Sequence, residues 1–358
     1  MPSLFSPIRI RNLTLKNRIV MPPMVCFKWA GDDGLVTDRN VAHYEARARG
    51  GVGLVIVEAH AVNRLGRLAS GQLGLWSDEH VPGLRRIAEA CHRHGAAVLV
   101  QIHHAGLNTP RDICSPALAP SDIDDGKRLA RAMTLEEIRA TQQDFVAAAR
   151  RAEAAGCDGV ELHGAHRYLI CQFASPITNR RTDGYGGDLA RRTRFVREIV
   201  EGIRAAVRPD FVIGCRMGAN EPALENGIAI AQELERAGVD LLHVSSGISE
   251  GDPPSAPEGF GYGWIAWMGT EVKKHVSVPV IAVNGIKTPQ QAAGLVERGM
   301  ADLVAAGRAM LVDPEWAVKA ADGRPITPCR SCSPCRWFVD SRRCPAIRAM
   351  KKAATGPQ

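Results

Sequence analysis

The chain has 358 residues, a hydrophobic fraction of 45%, a charged fraction of 23% and a formal net charge of +7. This composition is that of a globular protein, and no apolar run approaches the roughly 18 residues that span a bilayer. The basic residues are mixed with acidic ones and form no dense aromatic-basic patch, so we expect neither a nucleic-acid nor a membrane partner. The N-terminus has no continuous apolar stretch typical of a signal peptide, and we expect a cytoplasmic protein.

Eight short apolar runs alternate along the chain with longer helical patterns. The runs cover residues 18–23, 53–59, 97–103, 157–163, 211–218, 240–247, 279–285 and 302–308. Each run is apolar on both of its alternating faces, which is typical of parallel strands that are covered on both sides.

The segments between these runs carry the boundary signals of helices. One begins at Thr134, with Glu137 in capping-box spacing, and ends at Gly156; the segments 229–238 and 288–299 also end at glycines. Eight strand–helix units predict an α/β fold, a closed (β/α)8 TIM barrel. The alternative is an open doubly wound sheet, which usually has a GxGxxG turn after its first strand. The first run here continues as PPMVCF, so the barrel is favoured.

In a TIM barrel, the catalytic and binding residues gather at the carboxyl ends of the strands. The ends of the last two predicted strands carry Gly285, Gly307 and Arg308. Many barrels bind a phosphate at this place, because glycines let backbone N–H groups approach an anion. We therefore expect a phosphorylated ligand.

The end of the fourth predicted strand carries His163, His166 and Tyr168. A zinc site is one interpretation of two neighbouring imidazoles, but no third ligand follows at a useful spacing. We favour the other interpretation, in which the histidine N–H groups bind a substrate oxyanion and Tyr168 donates a proton.

Four of the ten cysteines are crowded into residues 329–344. Cys329, Cys332 and Cys335 have the C-x2-C-x2-C spacing of a ferredoxin-type [4Fe–4S] motif, and Cys344 follows after eight further residues. Zinc is the alternative, but zinc sites generally pair one CxxC with a second CxxC or a histidine pair, and none follows. We expect an iron–sulfur cluster.

Several stretches resemble the old yellow enzyme family of FMN-dependent NAD(P)H:flavin oxidoreductases. NRIVMPPM, VEA, QIHHAG, HGAHRYLICQFASPITNRRTDGYGG, VSSG and AAGRAML occur in the family's order between residues 4 and 320. With the cysteine segment, the chain looks most like the iron–sulfur branch of 2,4-dienoyl-CoA reductase, enoate reductase and trimethylamine dehydrogenase. The resemblance implies an FMN-binding TIM barrel over residues 1–322 and a short C-terminal [4Fe–4S]-binding extension over residues 323–358.

The resemblance also implies roles for individual residues. FMN would contact Pro23, Met24 and Ala59 with its ring, Gln101 and Arg216 with its pyrimidine and N1 side, and Gly285, Gly307 and Arg308 with its phosphate. His163 and His166 would hold a substrate carbonyl oxygen, hydride would pass from flavin N5 to the β-carbon, and Tyr168 would protonate the α-carbon. The cluster would be held by Cys329, Cys332, Cys335 and Cys344 and would relay electrons.

The implied activity is reduction of the C=C bond of an α,β-unsaturated carbonyl compound (an enone, an enoate or a dienoyl-CoA), with NADH or NADPH as electron donor. One alternative is an amine dehydrogenase that passes electrons out through the cluster. Such enzymes can attach FMN to a cysteine just after the first strand, where Val25 stands here and Cys26 comes one residue late. Another alternative is an FMN and iron–sulfur electron-transfer subunit of a larger reductase.

The long relatives of this branch continue into FAD- and NAD(P)-binding domains, and the sequence contains no GxGxxG. We therefore expect electrons to come either from a protein partner or directly from NAD(P)H. The sequence is compatible with a homo-oligomer and does not determine the oligomeric state.

Three positions depart from the family's pattern. Arg167 replaces a usual glycine, which places a cation near the substrate side unless the side chain points away. Leu107 replaces an arginine of the family's third-strand motif, and Gly285 stands where many relatives have an arginine, so one phosphate contact is in doubt.

Overall fold

The computed structural model describes residues 2–355, and within them eight parallel strands close into a barrel. The strands are β1 (Ile19–Met21), β2 (Leu54–Ala61), β3 (Ala97–His103), β4 (Gly159–Gly164), β5 (Val212–Gly218), β6 (Leu241–Ser245), β7 (Val280–Val283) and β8 (Leu303–Ala305). Each pairs with its neighbour in the chain, and β8 pairs with β1 to close the ring. Each of the eight predicted runs overlaps one of these strands, so the predicted TIM barrel is confirmed.

A helix follows each strand and covers the outside of the barrel. The helices are α1 (Asp38–Arg49), α2 (Val81–His92), α3 (Leu135–Ala154), α4 (Arg194–Ala206), α5 (Leu224–Arg236), α6 (Trp264–Lys273), α7 (Pro289–Glu297) and α8 (Gly307–Val312). α3 begins at the predicted capping box, because the Thr134 hydroxyl accepts from the Glu137 N–H at 3.1 Å and Glu137 accepts from the Thr134 N–H at 2.9 Å. Within the described residues, no helix combines the length and the apolar character needed to cross a bilayer.

The remaining short elements lie before, between and after the strand–helix units of the barrel. An antiparallel pair of strands, Ile8–Ile10 and Leu13–Leu15, precedes β1, and a three-stranded sheet of Ala117–Ala119, Ile123–Asp124 and Leu129–Ala132 lies between β3 and α3. Short helices cover Leu169–Ala174, Leu189–Arg192, Trp316–Asp322, Arg336–Val339 and Pro345–Thr355, and 3-10 turns cover Arg64–Gly66, Asp78–His80, Gly106–Asn108 and Ser341–Arg343. Long connections with short elements of their own therefore follow the carboxyl ends of several barrel strands.

The cysteine-rich segment is packed against the barrel and shares its apolar core. Trp337 is 5% exposed and Cys344 is 8% exposed, and both belong to the same continuous cluster of buried side chains as the barrel strands. The helix that precedes the segment ends at Gly323, which adopts a left-handed φ of 65°. The division of the chain at residues 322 and 323 stays a prediction.

Candidate active site

A continuous cleft lies across the carboxyl ends of the strands. A first cavity of about 440 Å³ is lined by residues at or beyond the ends of β1 and β4 to β8 and by the cysteine-rich segment. A second cavity of about 370 Å³ is lined mainly by residues at or beyond the ends of β1 to β5. The two cavities have five lining residues in common: Pro23, Met24, His166, Arg216 and Phe338. This is the size and position expected of a ligand site in a TIM barrel.

The barrel residues that the sequence singled out all line this cleft. Ala59, Gln101, His163 and Tyr168 line the second cavity, Gly285, Gly307 and Arg308 line the first, and Pro23, Met24, His166 and Arg216 line both. The fold therefore brings together residues from seven of the eight strands, or from just beyond their ends.

The turn after β4 places two histidines and a tyrosine around one point. His166 and Arg167 have left-handed φ values of 57° and 65°, so the chain reverses sharply before Tyr168 starts the next helix. The ring centre of His163 lies 5.0 Å from that of His166 and 4.7 Å from that of Tyr168. A left-handed conformation costs about 1–2 kcal/mol for a residue other than glycine. Such strain is typical of functional sites.

Hydrogen bonds orient the two imidazoles. His166 Nε2 lies 2.7 Å from the Ser245 hydroxyl at the end of β6, and His166 Nδ1 lies 3.3 Å from His163 Nε2. The other ring nitrogen of His163, Nδ1, is buried without a partner among the described residues. Ser245 was not predicted as a site residue, although the sequence placed it at a strand end.

The environment keeps these side chains uncharged at neutral pH. Burial, with further contributions from neighbouring cationic groups, lowers the pKa of His163 and of His166 well below the ordinary value. Burial raises the pKa of Tyr168 to about 12, against a smaller opposing effect of the Arg216 guanidinium. Neutral histidines and a protonated phenol can each donate a hydrogen bond to an oxygen atom in the cleft.

A buried polar network supports the floor of the cleft. Gln101 Nε2 donates to the Glu161 carboxylate at 2.7 Å, and Glu161 also pairs with His243 Nδ1 at 2.8 Å. Arg216 is 9% exposed, and its Nε–H has no partner among the described residues. A buried guanidinium N–H without an acceptor is costly, so this group fits a ligand that brings an acceptor atom. Sequence inspection missed Glu161 and His243, which pair across two non-adjacent strands.

The other end of the cleft is lined by glycines and cations. A Cβ atom at Gly307 would lie 3.1 Å from both the Met24 sulfur and the Pro22 Cγ, so a side chain there would require these neighbours to shift. Gly285 has a φ of +77°, which disfavours an arginine at that position. Lys287, two residues later, also lines this cavity with Arg308, and it was not predicted.

The four clustered cysteines line a separate small cavity next to the cleft. Cys329 and Cys335 also line the first cavity of the cleft, and Arg308 lines both spaces. Cys344, the cysteine farthest along the chain, lines the same space as the other three. In the part of the chain that the structure describes, no three His, Cys, Asp or Glu side chains converge tightly enough to hold a single metal ion.

Arg167 and Cys26 both lie outside the lining of the cleft. Arg167 lines neither of its two cavities. Cys26 is 3% exposed, and its N–H donates to the Glu58 carboxylate at 2.6 Å, whereas Val25 lines the second cavity. Leu107 lies in a small apolar cluster under the three-stranded sheet.

Comparisons with known proteins agree with this geometry. The NADH:flavin oxidoreductase / NADH oxidase family model matches residues 3–327. An NADH oxidase from Thermoanaerobacter brockii is 46% identical over 345 residues, which are 93% of this chain and 53% of that protein. An NADPH dehydrogenase from Listeria innocua is 38% identical over 330 residues, which are 90% of this chain and 95% of that protein. The chain therefore spans about half of the first relative and nearly all of the second.

Among solved structures, a complex of 2-naphthoyl-CoA reductase with 2-naphthoyl-CoA superposes with a TM-score of 0.86 at 29% identity. The match covers 94% of this chain and 56% of that chain. Since the family model covers most of the sequence and the barrel places the motif residues in one cleft, the chain belongs to the NADH:flavin oxidoreductase / NADH oxidase family, the FMN-dependent old yellow enzymes.

Proposed function

We propose that this protein reduces the C=C bond of an α,β-unsaturated carbonyl compound, with FMN as cofactor and NADH or NADPH as electron donor. The observation that carries the proposal is the convergence of His163, His166 and Tyr168 on a cavity that Arg216 also lines. Two hydrogen-bond donors for an oxygen, beside a protonated phenol, are the groups that this reaction needs from the protein. The names of the NADPH dehydrogenase relative and of the 2-naphthoyl-CoA reductase neighbour support the same class of chemistry.

The residues of the cleft fit FMN. Arg216 offers a buried, unsatisfied donor and a fixed positive charge for the pyrimidine side of the ring. Gly307 leaves room for close approach of a phosphate, and Arg308 and Lys287 provide cations there. Pro23, Met24, Ala59, Gln101 and Gly285 complete the set that we assign to the cofactor. When bound, FMN supplies the hydride chemistry that amino-acid side chains lack.

We assign the substrate carbonyl oxygen to His163 and His166. If the Ser245 hydroxyl donates to His166 Nε2, the imidazole proton sits on Nδ1, which faces His163. The 3.3 Å contact between the two rings is long, so a carbonyl oxygen that accepts from both residues is the better partner. These donors stabilise negative charge on the oxygen and make the β-carbon of the substrate more electrophilic.

We assign proton transfer to the α-carbon to Tyr168. Its pKa of about 12 keeps the phenol protonated at neutral pH, and its ring packs edge-on against His103 at 4.5 Å and His163 at 4.7 Å. These contacts fix the position of the phenol oxygen, and a fixed position is a requirement for an effective general acid.

We further propose that Cys329, Cys332, Cys335 and Cys344 hold a [4Fe–4S] cluster. The four thiols line one cavity, and the first three keep the C-x2-C-x2-C spacing of [4Fe–4S] motifs. Zinc sites generally pair one CxxC with a second CxxC or a histidine pair, and none follows in the sequence. Because two of these cysteines also line the cleft, electrons would have a short path between the two groups. We also propose that a partner protein exchanges electrons with the cluster along this path.

An anaerobic visible-absorption titration tests the proposed function. The purified protein is titrated with NADH and, separately, with NADPH, and 2-cyclohexenone is then added. Bleaching of the flavin by one nucleotide, reversed by the enone, is the expected result. Oxidised flavin that neither nucleotide bleaches would contradict direct NAD(P)H use and would indicate that electrons enter or leave through the cysteine segment.

A further inference from the structure

We infer that Phe338, in the cysteine-rich segment, is a specificity-determining wall of the substrate site, where it packs on a flat apolar group of the substrate. This inference rests on the proposed function and extends it by naming the substrate class: unsaturated carbonyl compounds that carry a flat aromatic group beyond the reacting double bond. It also gives the segment a second task, which is to complete the substrate cavity.

Three cavities meet at the Phe338 ring. Phe338 lines both cavities of the cleft, and it also lines an outer chamber of about 630 Å³. Phe27, from the loop after β1, lines the second cavity and the same outer chamber. Phe27 and Phe338 are therefore the residues that the outer chamber shares with the cavity lined by His163, His166 and Tyr168.

The outer chamber has space for the rest of such a substrate. Its lining combines the charged residues Lys28 and Asp32 with small residues: Ala30, Gly31, Ala69, Ser70 and Gly71. A substrate that binds its carbonyl oxygen at the two histidines would extend its apolar part past Phe338 and Phe27 toward this chamber. Stacked or edge-on aromatic contacts are worth about 0.5–1.5 kcal/mol beyond the area that they bury.

Neighbouring contacts hold Phe338 in place. The adjacent Trp337 packs against Trp29 and His43, with ring centres 5.8 Å and 5.7 Å away. Arg39, on α1, lies 4.0 Å over the Trp29 ring and donates to the Ser341 hydroxyl at 2.9 Å. The helix that carries Phe338 begins directly after Cys335, so the position of the ring is tied to the cysteine segment.

The test compares the wild type with Phe338→Ala on two substrates, 2-cyclohexenone and an enone that carries a 2-naphthyl group. We expect KM for the naphthyl enone to rise about tenfold, and the ratio of the two KM values is the deciding readout. KM for 2-cyclohexenone should change less than twofold, because that substrate does not reach the chamber. Phe5→Ala, which removes an exposed phenylalanine before β1, is the matched control and should leave both KM values unchanged.

Two further measurements keep the inference separate from the proposed function. Calorimetric binding of 2-naphthoate to the oxidised protein should weaken about tenfold in Phe338→Ala, even if neither enone is reduced. Arg39→Gln removes the hydrogen bond to Ser341 but keeps the Phe338 side chain, and it should shift the naphthyl KM in the same direction by a smaller factor. Equal effects of Phe338→Ala on both enones, or unchanged naphthoate binding, would overturn the inference. Failure of the wild type to reduce either enone would instead count against the proposed function.

Discussion

The substitution Tyr168→Phe separates the proton-donor role of Tyr168 from its packing. The phenylalanine ring can keep the edge-on contacts with His103 and His163, at 4.5 Å and 4.7 Å, because both involve the ring and not the hydroxyl. The substitution therefore removes one O–H group from a partly exposed position, and we expect the free energy of unfolding to change by less than about 1 kcal/mol.

The loss of rate follows from the chemistry of the donor. At pH 8, a pKa of about 12 leaves the phenol almost fully protonated, so the wild type uses the acid form throughout the neutral range. A positioned general acid contributes about 10²–10⁴-fold, which is about 3–5 kcal/mol of activation free energy. We expect this loss in the step that consumes the enone.

Stopped-flow spectroscopy can measure the two half-reactions separately. Flavin bleaching by NADPH or NADH should change less than about twofold in Tyr168→Phe, since no proton transfer by this residue is required there. Flavin reoxidation by 2-cyclohexenone should slow by about 10²–10⁴-fold. Equal slowing of both half-reactions, or no slowing of the second, would refute the proton-donor assignment.

Three further predictions follow from other parts of the site. Lys287→Met should weaken FMN binding about fivefold, which corresponds to about 1 kcal/mol, and leave riboflavin binding unchanged. Fluorescence titration measures the binding of both flavins, and Lys127→Met, at an exposed lysine, is the control. Equal weakening for the two flavins would contradict a contact between Lys287 and the phosphate. Cys332→Ser should lower the iron and acid-labile sulfide content of the protein to near zero while FMN is retained; an unchanged iron content by elemental assay would remove this residue from the ligand set. Burial raises the pKa of Glu221 to about 8, so the folded protein keeps a proton that the unfolded chain loses near pH 4.5, and the resulting stability is lost as the pH rises from about 4.5 to 8. Glu221→Gln should remove this loss, which amounts to up to about 1.4 kcal/mol per pH unit. Urea unfolding measures the free energy of unfolding of both proteins between pH 5 and 8. The same change of this free energy with pH in the wild type and in the variant would show that the argument is wrong.

The order of strands and helices was predictable from the sequence because its signals are local. Continuous apolar runs mark strands that are covered on both faces, and glycines such as Gly156 end the helices before them. Once the barrel was inferred, the general rule for strand ends placed His163, Arg216 and Arg308 at one mouth. The spacing of the first three clustered cysteines likewise needed no tertiary information.

Other features depended on distances across the closed barrel, which sequence spacing does not encode. Glu161 and His243 are 82 residues apart in the chain, and they pair only because alternate strands turn their side chains into the same interior. Val25 lines the cleft, whereas the Cys26 N–H donates to Glu58. This difference depends on the path of the loop after β1, which the amino-acid types alone do not determine.

The amino-acid sequence by itself therefore determined the barrel, the family and most residues of the cleft, because periodicity, helix ends and short motifs are written in consecutive residues. Only the tertiary structure decided that the cysteine-rich segment folds back over the mouth. Burial of Trp337 against Trp29 and His43 holds this segment in place, and it thereby brings Phe338 into the same cleft as Tyr168, 170 positions earlier in the chain. The physical reason is that this contact joins apolar surfaces from distant parts of the chain, and such a contact leaves no local pattern in the sequence.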